Sequence, residues 1–293
     1  MSTITSLISS GGGGGSEVND NKYTHSAANL ITTESGEVWL KGGVTETNVA
    51  AYPDATANFV YTGTNFSVAG QMTTMQDITW DGTHFFVLDW INNSVYKYTA
   101  AGVYTGTSYA LSIGSSPTGI TWDGTYFWVV TTGDDKVFKY NASFVYQSIE
   151  FSVAARTTNP YGITYDGTHL WVIGSNDNLS KWTTSGTDTG FNFSVSAQES
   201  NPGGVTFDGT YLWVVGNSSG NAHKYNTSGV YENESFAVNS QDTNPKGIVS
   251  VGTDFWTAGY TSSAAYKYAP QIGVVSTSNV SLTQGLQNYV RIK

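Results

Sequence analysis

"GITWDGTYFWVV", residues 119–130, is two short apolar runs joined by Asp123-Gly124. An Asp-Gly pair between β-formers is a strong hairpin signal, and a two-residue type I′ turn would need positive φ at both of its residues. Near copies follow at "DITWDGTHFFVL" from Asp77, "GITYDGTHLWVI" from Gly162, "GVTFDGTYLWVV" from Gly204 and "GIVSVGTDFWTA" from Gly247. The turn glycines Gly82, Gly124, Gly167, Gly209 and Gly252 are spaced by 42, 43, 42 and 43 residues. A worn copy, "ITTESGEVWL" at 31–40, aligns without gaps and puts Trp39 opposite Trp128.

Each unit divides into four strand-like runs, which in the copy from Gly119 are Gly119–Asp123, Thr125–Thr132, Lys136–Asn141 and Phe144–Val153. The third run repeats a Lys-aromatic pair at Lys97, Lys139, Lys181, Lys224 and Lys267, and the fourth ends in a Phe-Ser/Ala-Val signature at Phe66, Phe151, Phe193 and Phe236. "GVVSTSNVSL" (273–282) overlays "GVYENESFAV" (229–238) and supplies a fourth run to the last copy. A period of about 40–45 residues with four strands per unit marks a β-propeller blade.

The expected fold is therefore all-β, a six-bladed propeller of four-stranded antiparallel blades over 29–283, with blades near 29–76, 77–118, 119–161, 162–203, 204–246 and 247–283. Residues 1–28 form an N-terminal anchor arm with a glycine hinge at Gly11–Gly15, and 284–293 a short strand-like C-terminal tail. Trp39, Trp128, Trp171, Trp213 and Trp256, with Phe86, share one position of the second strand. Each such ring buries about 150–250 Å², roughly 4–6 kcal/mol gross, so packing between blades is their expected role.

Composition narrows the function. A formal charge of −10 with no Lys/Arg run opposes nucleic-acid binding, and no stretch reaches the ~20 apolar residues of a membrane helix. The absence of cysteine excludes disulfides and thiolate metal sites. "MSTITSLISSGGGGGSE" has no basic segment ahead of its short apolar patch, unlike a secretory signal.

Chemistry is sparse. His84 and His169 occupy the same slot as Tyr126 and Tyr211, which marks them as structural. Asp81, Asp123, Asp166 and Asp208 lie in hairpin turns, where a carboxylate caps local amides. The turn differs from a sialidase Asp-box because Gly follows Asp directly. No catalytic residue, cofactor or metal site is expected. Loops joining strands two and three, and those leading into the next blade, share one face, and the candidate ligand residues there are Trp90, Asn92, Asp134, Asp135, Tyr161, Asp177 and Tyr260. In the tails, Ile4, Leu7 and Ile8 with Tyr289, Val290 and Ile292 are the expected partner-docking residues, by strand or groove addition.

"SLISSGGGGG", "GEVWLKGGVTETNVAAYPDA" (36–55), the "GITWDGT.FWVV" blades and the terminal "YVRIK" together resemble virion proteins of tailed phages, particularly marine ones, of the tail-fibre or structural type. The resemblance covers most of the chain and implies a non-enzymatic appendage, a tail fibre or host-adhesion subunit, assembled in the host cytoplasm and held to other virion proteins by its tails. It also admits a homo-oligomer. The alternatives are a capsid or neck decoration, a propeller that binds host-surface glycan, and a calcium-dependent propeller hydrolase.

Overall fold

The computed structural model describes residues 59–112 and 114–271 in full, together with the strand backbone at 30–31, 38–41, 52–53, 272–273 and 289–292. The chain divides into two units, Met1–Ala57 with Ile272–Lys293, and Asn58–Gln271. In the first unit, β1 (Leu30–Ile31), β2 (Val38–Lys41) and β25 (Tyr289–Ile292) form one antiparallel sheet, and β3 (Tyr52–Pro53) pairs with β24 (Ile272–Gly273).

The second unit is the propeller, and it has five four-stranded blades, not six. Blade A is β5 (Met75–Trp80), β6 (His84–Asp89), β7 (Ser94–Thr99) and β8 (Tyr104–Ala110); blade B is β9 (Pro117–Trp122), β10 (Tyr126–Thr131), β11 (Lys136–Asn141) and β12 (Tyr146–Ser152). Blade C comprises β13 (Pro160–Tyr165), β14 (His169–Gly174), β15 (Asn178–Thr183) and β16 (Asp188–Ser194), and blade D β17 (Pro202–Phe207), β18 (Leu212–Gly216), β19 (Asn221–Tyr225) and β20 (Tyr231–Ala237). Blade E takes β21 (Pro245–Val251), β22 (Asp254–Gly259) and β23 (Ala264–Pro270) from the C-terminal side and β4 (Phe59–Ser67) from the N-terminal side.

That last pairing corrects the sequence expectation. The Phe66 signature is a fourth strand, but it completes blade E through Ala265↔Phe66 and Tyr266↔Asn65, so the place given to 273–282 is already filled. The worn copy at 31–40 forms no blade; its Trp39 lies on β2, opposite Arg291 of the C-terminal strand.

Five clusters hold the blades together, one at each interface. The second strand of each blade is buried on both faces, which is why it reads as a continuous apolar run rather than an alternation. On β10, Phe127 and Val129 pack toward blade A while Trp128 and Val130 pack toward Ile163, Leu170 and Val172 of blade C. Trp128, Trp171, Trp213, Trp256 and Phe86 are all buried, which gives them the expected interblade role. At the closure, Phe66 sits 5.3–5.5 Å, ring to ring, from Phe85, Tyr98 and Trp256.

The Asp-Gly turn differs from the expected type I′, since only its glycine has positive φ (Gly124, 95°). Asp123 instead folds its carboxylate over the turn: Oδ1 accepts the Thr125 and Tyr126 N–H groups at 2.8 and 2.7 Å, and Oδ2 accepts the Trp128 indole N–H at 2.7 Å. Asp166–Trp171 and Asp208–Trp213 repeat the indole bond at the same distance. The turn and the interblade aromatic are thus one device. The third-strand lysines lie over the same rings, with Lys139 Nζ 5.0 Å from the Trp128 centroid and Lys181 Nζ 5.0 Å from that of Trp171.

At the axis the first strands meet backbone to backbone. A Cβ on Gly119 would lie 2.9 Å from the Gly162 Cα, one on Gly162 2.8 Å from the Gly204 Cα, and one on Gly204 2.8 Å from the Gly247 Cα. Asp77 is the fifth member of this ring.

Two outcomes test the architecture. Phe66→Ala is expected to cost about 3–5 kcal/mol through the cavity it leaves at the closure, lowering Tm by on the order of 10 °C. Gly162→Ala, which forces a methyl group onto neighbouring backbone, is expected to cost about 1–3 kcal/mol. Thermal denaturation checks both, and a neutral Phe66→Ala would contradict closure by β4.

Candidate functional site

Each first strand carries one extra residue near its start. In blade B, Pro117 pairs with Thr131 and Gly119 with Val130, which leaves Thr118 as a bulge; the same register shift isolates Gln76, Tyr161, Gly203 and Lys246 in the other blades. Bulges commonly re-aim a side chain, and these aim at the channel mouth. Gln76, Thr118, Tyr161 and Lys246 line a cavity of about 270 Å³, with Trp90, Thr132, Asn244 and Tyr260 from the adjoining loops. Blade D places Gly203 in its slot and so adds no side chain there.

Of the sequence candidates, Trp90, Tyr161 and Tyr260 come together in this cavity from three different blades, and Trp90 remains 40% exposed. The polar candidates lie outside its lining. Asn92 Nδ2 donates to Asp89 Oδ2 at 2.6 Å, and Asp134 Oδ2 accepts the Ser115 N–H at 2.7 Å, so both secure loops. Asp135 and Asp177 have φ of 52° and 57°, a left-handed conformation that Asp tolerates better than most residues. Their carbonyls accept the Val153 and Val195 N–H groups at 2.8 Å, tying each loop to the end of its fourth strand. Ile4, Leu7 and Ile8 fall outside the described residues. Tyr289, Val290 and Ile292 lie on β25, whose backbone pairs with Lys41, Leu40 and Val38 within the same unit.

Sequence reasoning missed Lys246, Gln76, Thr118, Thr132 and Asn244. The signal was present in the residue between Pro and Gly in "NPYG", "NPGG" and "NPKG", which changes while its neighbours repeat. The Lys246 ammonium lies 5.8 Å from the Tyr161 ring centroid, and burial pulls its pKa below the ordinary lysine value. Thr118 Oγ1 donates to the Pro160 carbonyl at 2.7 Å, which links blades B and C beneath the mouth.

Asp77 directly follows the bulge at Gln76 and is buried. Its Oδ1 accepts the Ile78 N–H and its Oδ2 the Ile120 N–H, both at 2.8 Å, so the carboxyl joins blade A to blade B. Burial is the dominant influence and pushes its pKa well above the usual carboxylate range despite those two bonds.

A second polar cluster lies in blade D. Glu199, wholly buried, accepts the Asn201 N–H at 2.9 Å and the Ser219 hydroxyl at 2.7 Å, and also bonds Ser218. Ser219 Oγ is 2.9 Å from His223 Nε2, and His223 Nδ1 is buried without a partner. With the serine proton committed to Glu199, the network assigns the histidine proton to Nε2. A Ser-His-acid triad requires the acid on the second histidine nitrogen, so this order of contacts holds loops rather than activating a nucleophile. Among the described residues, no group of three His, Cys, Asp or Glu side chains is placed to hold a metal ion.

No family model matches the chain, and no curated protein matches it in sequence. Among solved structures it is similar to the glutaminyl cyclase of Myxococcus xanthus, at 12% identity and TM-score 0.57, covering 72% of this chain and 95% of that one. A catalytically inactive virginiamycin B lyase from Staphylococcus aureus matches at 19% identity and TM-score 0.43, over 78% of this chain and 75% of that one. The nidogen/laminin complex matches at 17% and 0.46, over 63% and 72%. At these identities the first likeness supports the propeller fold alone, and the other two carry no argument.

Burial holds His223 below its ordinary pKa, outweighing the nearby Glu199 charge, which acts in the opposite direction. The unfolded chain therefore binds a proton more readily, and the stability tied to neutral His223 is full above about pH 6.5 and lost as pH falls below it. Asp77, with its raised pKa, has the opposite slope. Comparison of wild type with His223→Gln isolates the histidine: between pH 7.5 and 5.5, thermal denaturation should show the wild type losing more stability than the variant. Equal losses would remove His223 from the account.

Proposed function

We propose that the propeller is the non-enzymatic binding head of a virion appendage, a tail-fibre or host-adhesion subunit, and that its channel mouth takes a saccharide of the host surface. One observation carries the binding reading: Trp90, Tyr161 and Tyr260, from three blades, line one cavity together with Gln76, Asn244 and Thr132. A sugar ring has an apolar C–H face and an equatorial belt of hydroxyls. Aromatic faces complement the first and amides the second.

The cavity volume lies just below the roughly 300–1,000 Å³ of ordinary ligand pockets, which suits one or two sugar rings. Its titratable lining residues are Lys246, Tyr161 and Tyr260, a set without the carboxylate or imidazole that acid–base chemistry most often uses. The virion setting rests on the phage resemblance of the two terminal segments and of the stretch 36–55 in the first, worn copy.

Binding to an array of bacterial surface glycans tests the reading. Wild-type protein is expected to retain a defined subset, and Trp90→Ala or Tyr260→Ala to weaken that binding by about thirtyfold, equivalent to about 2 kcal/mol for an aromatic anchor. Since Trp90 is 40% exposed and outside the interblade clusters, its variant should keep close to the wild-type Tm. Retention of no glycan, or undiminished binding by both variants, would sink the saccharide reading.

A further inference from the structure

The lysines and the arginine of the described blades are mostly accounted for by neighbours. Lys136, Lys181, Lys224 and Lys267 each lie within 4.0 Å of a carboxylate, as does Arg156. Lys97 and Lys139 lie on the third strands over the rings of Phe86 and Tyr126, at 5.5 and 3.7 Å. Lys246 differs from these in its place: it occupies the bulge slot at the mouth, 5.8 Å from the Tyr161 ring centroid, and like Lys97 and Lys139 it has no carboxylate partner among the described residues.

The other four bulge slots hold Gln76, Thr118, Tyr161 and Gly203, all uncharged, and among the described residues no carboxylate lines the cavity. A single ammonium on the wall of a chamber otherwise made of amides, hydroxyls and aromatic rings is a cation without a counterion. Lys246 is partly buried, and withdrawing such a charge from water is unfavourable unless a partner arrives.

Resting on the saccharide reading, we propose that the mouth selects a saccharide ending in one carboxylated sugar, with the carboxylate on Lys246 Nζ and the sugar ring against the aromatic side chains. Gln76 and Asn244, which share the lining with the lysine, carry side-chain amides whose N–H donors suit the second carboxylate oxygen or the ring hydroxyls. Burial alone lowers the pKa of Lys246, with no acidic neighbour holding it up, so an incoming anion would meet a cation that gains from being paired. The net charge of −10 acts over longer range and disfavours a polyanion. A single terminal carboxylate meets little of that repulsion, because the field of distant surface charges is screened within about 8 Å at physiological salt.

The test is an array bearing matched glycans with neutral, singly carboxylated and sulfated termini, probed with full-length wild type, Lys246→Met and Lys246→Arg. Thermal denaturation first confirms that both variants keep the wild-type Tm. The expected result is selective retention of carboxylated termini, at least a tenfold loss in Lys246→Met, as befits a charge-assisted hydrogen bond, and partial rescue in Lys246→Arg. Equal retention of neutral and carboxylated termini by wild type, unchanged in Lys246→Met, would overturn the inference and leave the saccharide reading standing. Preference for sulfated termini would overturn the carboxylate assignment. Retention of no glycan by any form would remove the saccharide reading and this inference together.

Discussion

Five inner strands converge so closely on the axis that their backbones touch, and most of the molecule follows from that contact. With neighbouring Cα atoms 2.8–2.9 Å from any added Cβ, well inside van der Waals contact, the ring position takes glycine in blades B to E. The single exception, Asp77, fits because its carboxyl lies flat against the ring and takes two amide protons, one from its own strand and one from blade B. The carboxyl occupies the space a methyl group on Gly247 would need. Closing the axis in this way leaves a shallow mouth, and the extra residue that precedes the ring in each strand becomes its wall.

The same constraint separates the parts of the repeat that are fixed by packing from those that are free. The Asp carboxylate, the turn amides and the Trp indole form one hydrogen-bonded unit in blades B, C and D. Where one member changes, the bond disappears: Phe86 replaces the indole in blade A, and Val251 replaces the aspartate in blade E. A structural job is done by the positions that recur. The bulge slot, by contrast, runs through Gln76, Thr118, Tyr161, Gly203 and Lys246 with no common chemistry. Residues that differ between otherwise equivalent blades, and that all face one cavity, are where a propeller can acquire a ligand without disturbing its ring.

Much of this was legible in the chain. The strand order within each blade, the burial of Trp128, Trp171, Trp213 and Trp256, and the convergence of Trp90, Tyr161 and Tyr260 on one face follow from the repeat and its loops. Blade number did not, because counting hairpins does not show which blade owns a fourth strand. Phe66-Ser-Val looks the same whether it ends a sixth blade or closes the fifth, and only the pairing with Ala264–Pro270 decides. A warning was present in the spacing: position 35 of the worn copy lies 47 residues before Gly82, against 42 or 43 elsewhere. Lys246 was hidden for a different reason. A lone lysine in a polar loop is unremarkable until the bulge is known to point it inward and the surrounding carboxylates are known to be engaged elsewhere.

Charge is distributed along the same division. The acidic residues that set the net charge are largely committed to holding the blades: Asp123, Asp166 and Asp208 to indoles, Glu150, Asp188, Glu234 and Asp254 to basic side chains, Glu199 and Asp242 to the loops of the mouth face. Each of these anions has partners supplied by the fold. Lys246 reverses the pattern, since the fold brings it to the cavity and, among the described residues, supplies no anion for it. The contrast stands in a protein with nearly twice as many acidic as basic side chains. The arrangement is self-consistent if the missing partner comes from outside.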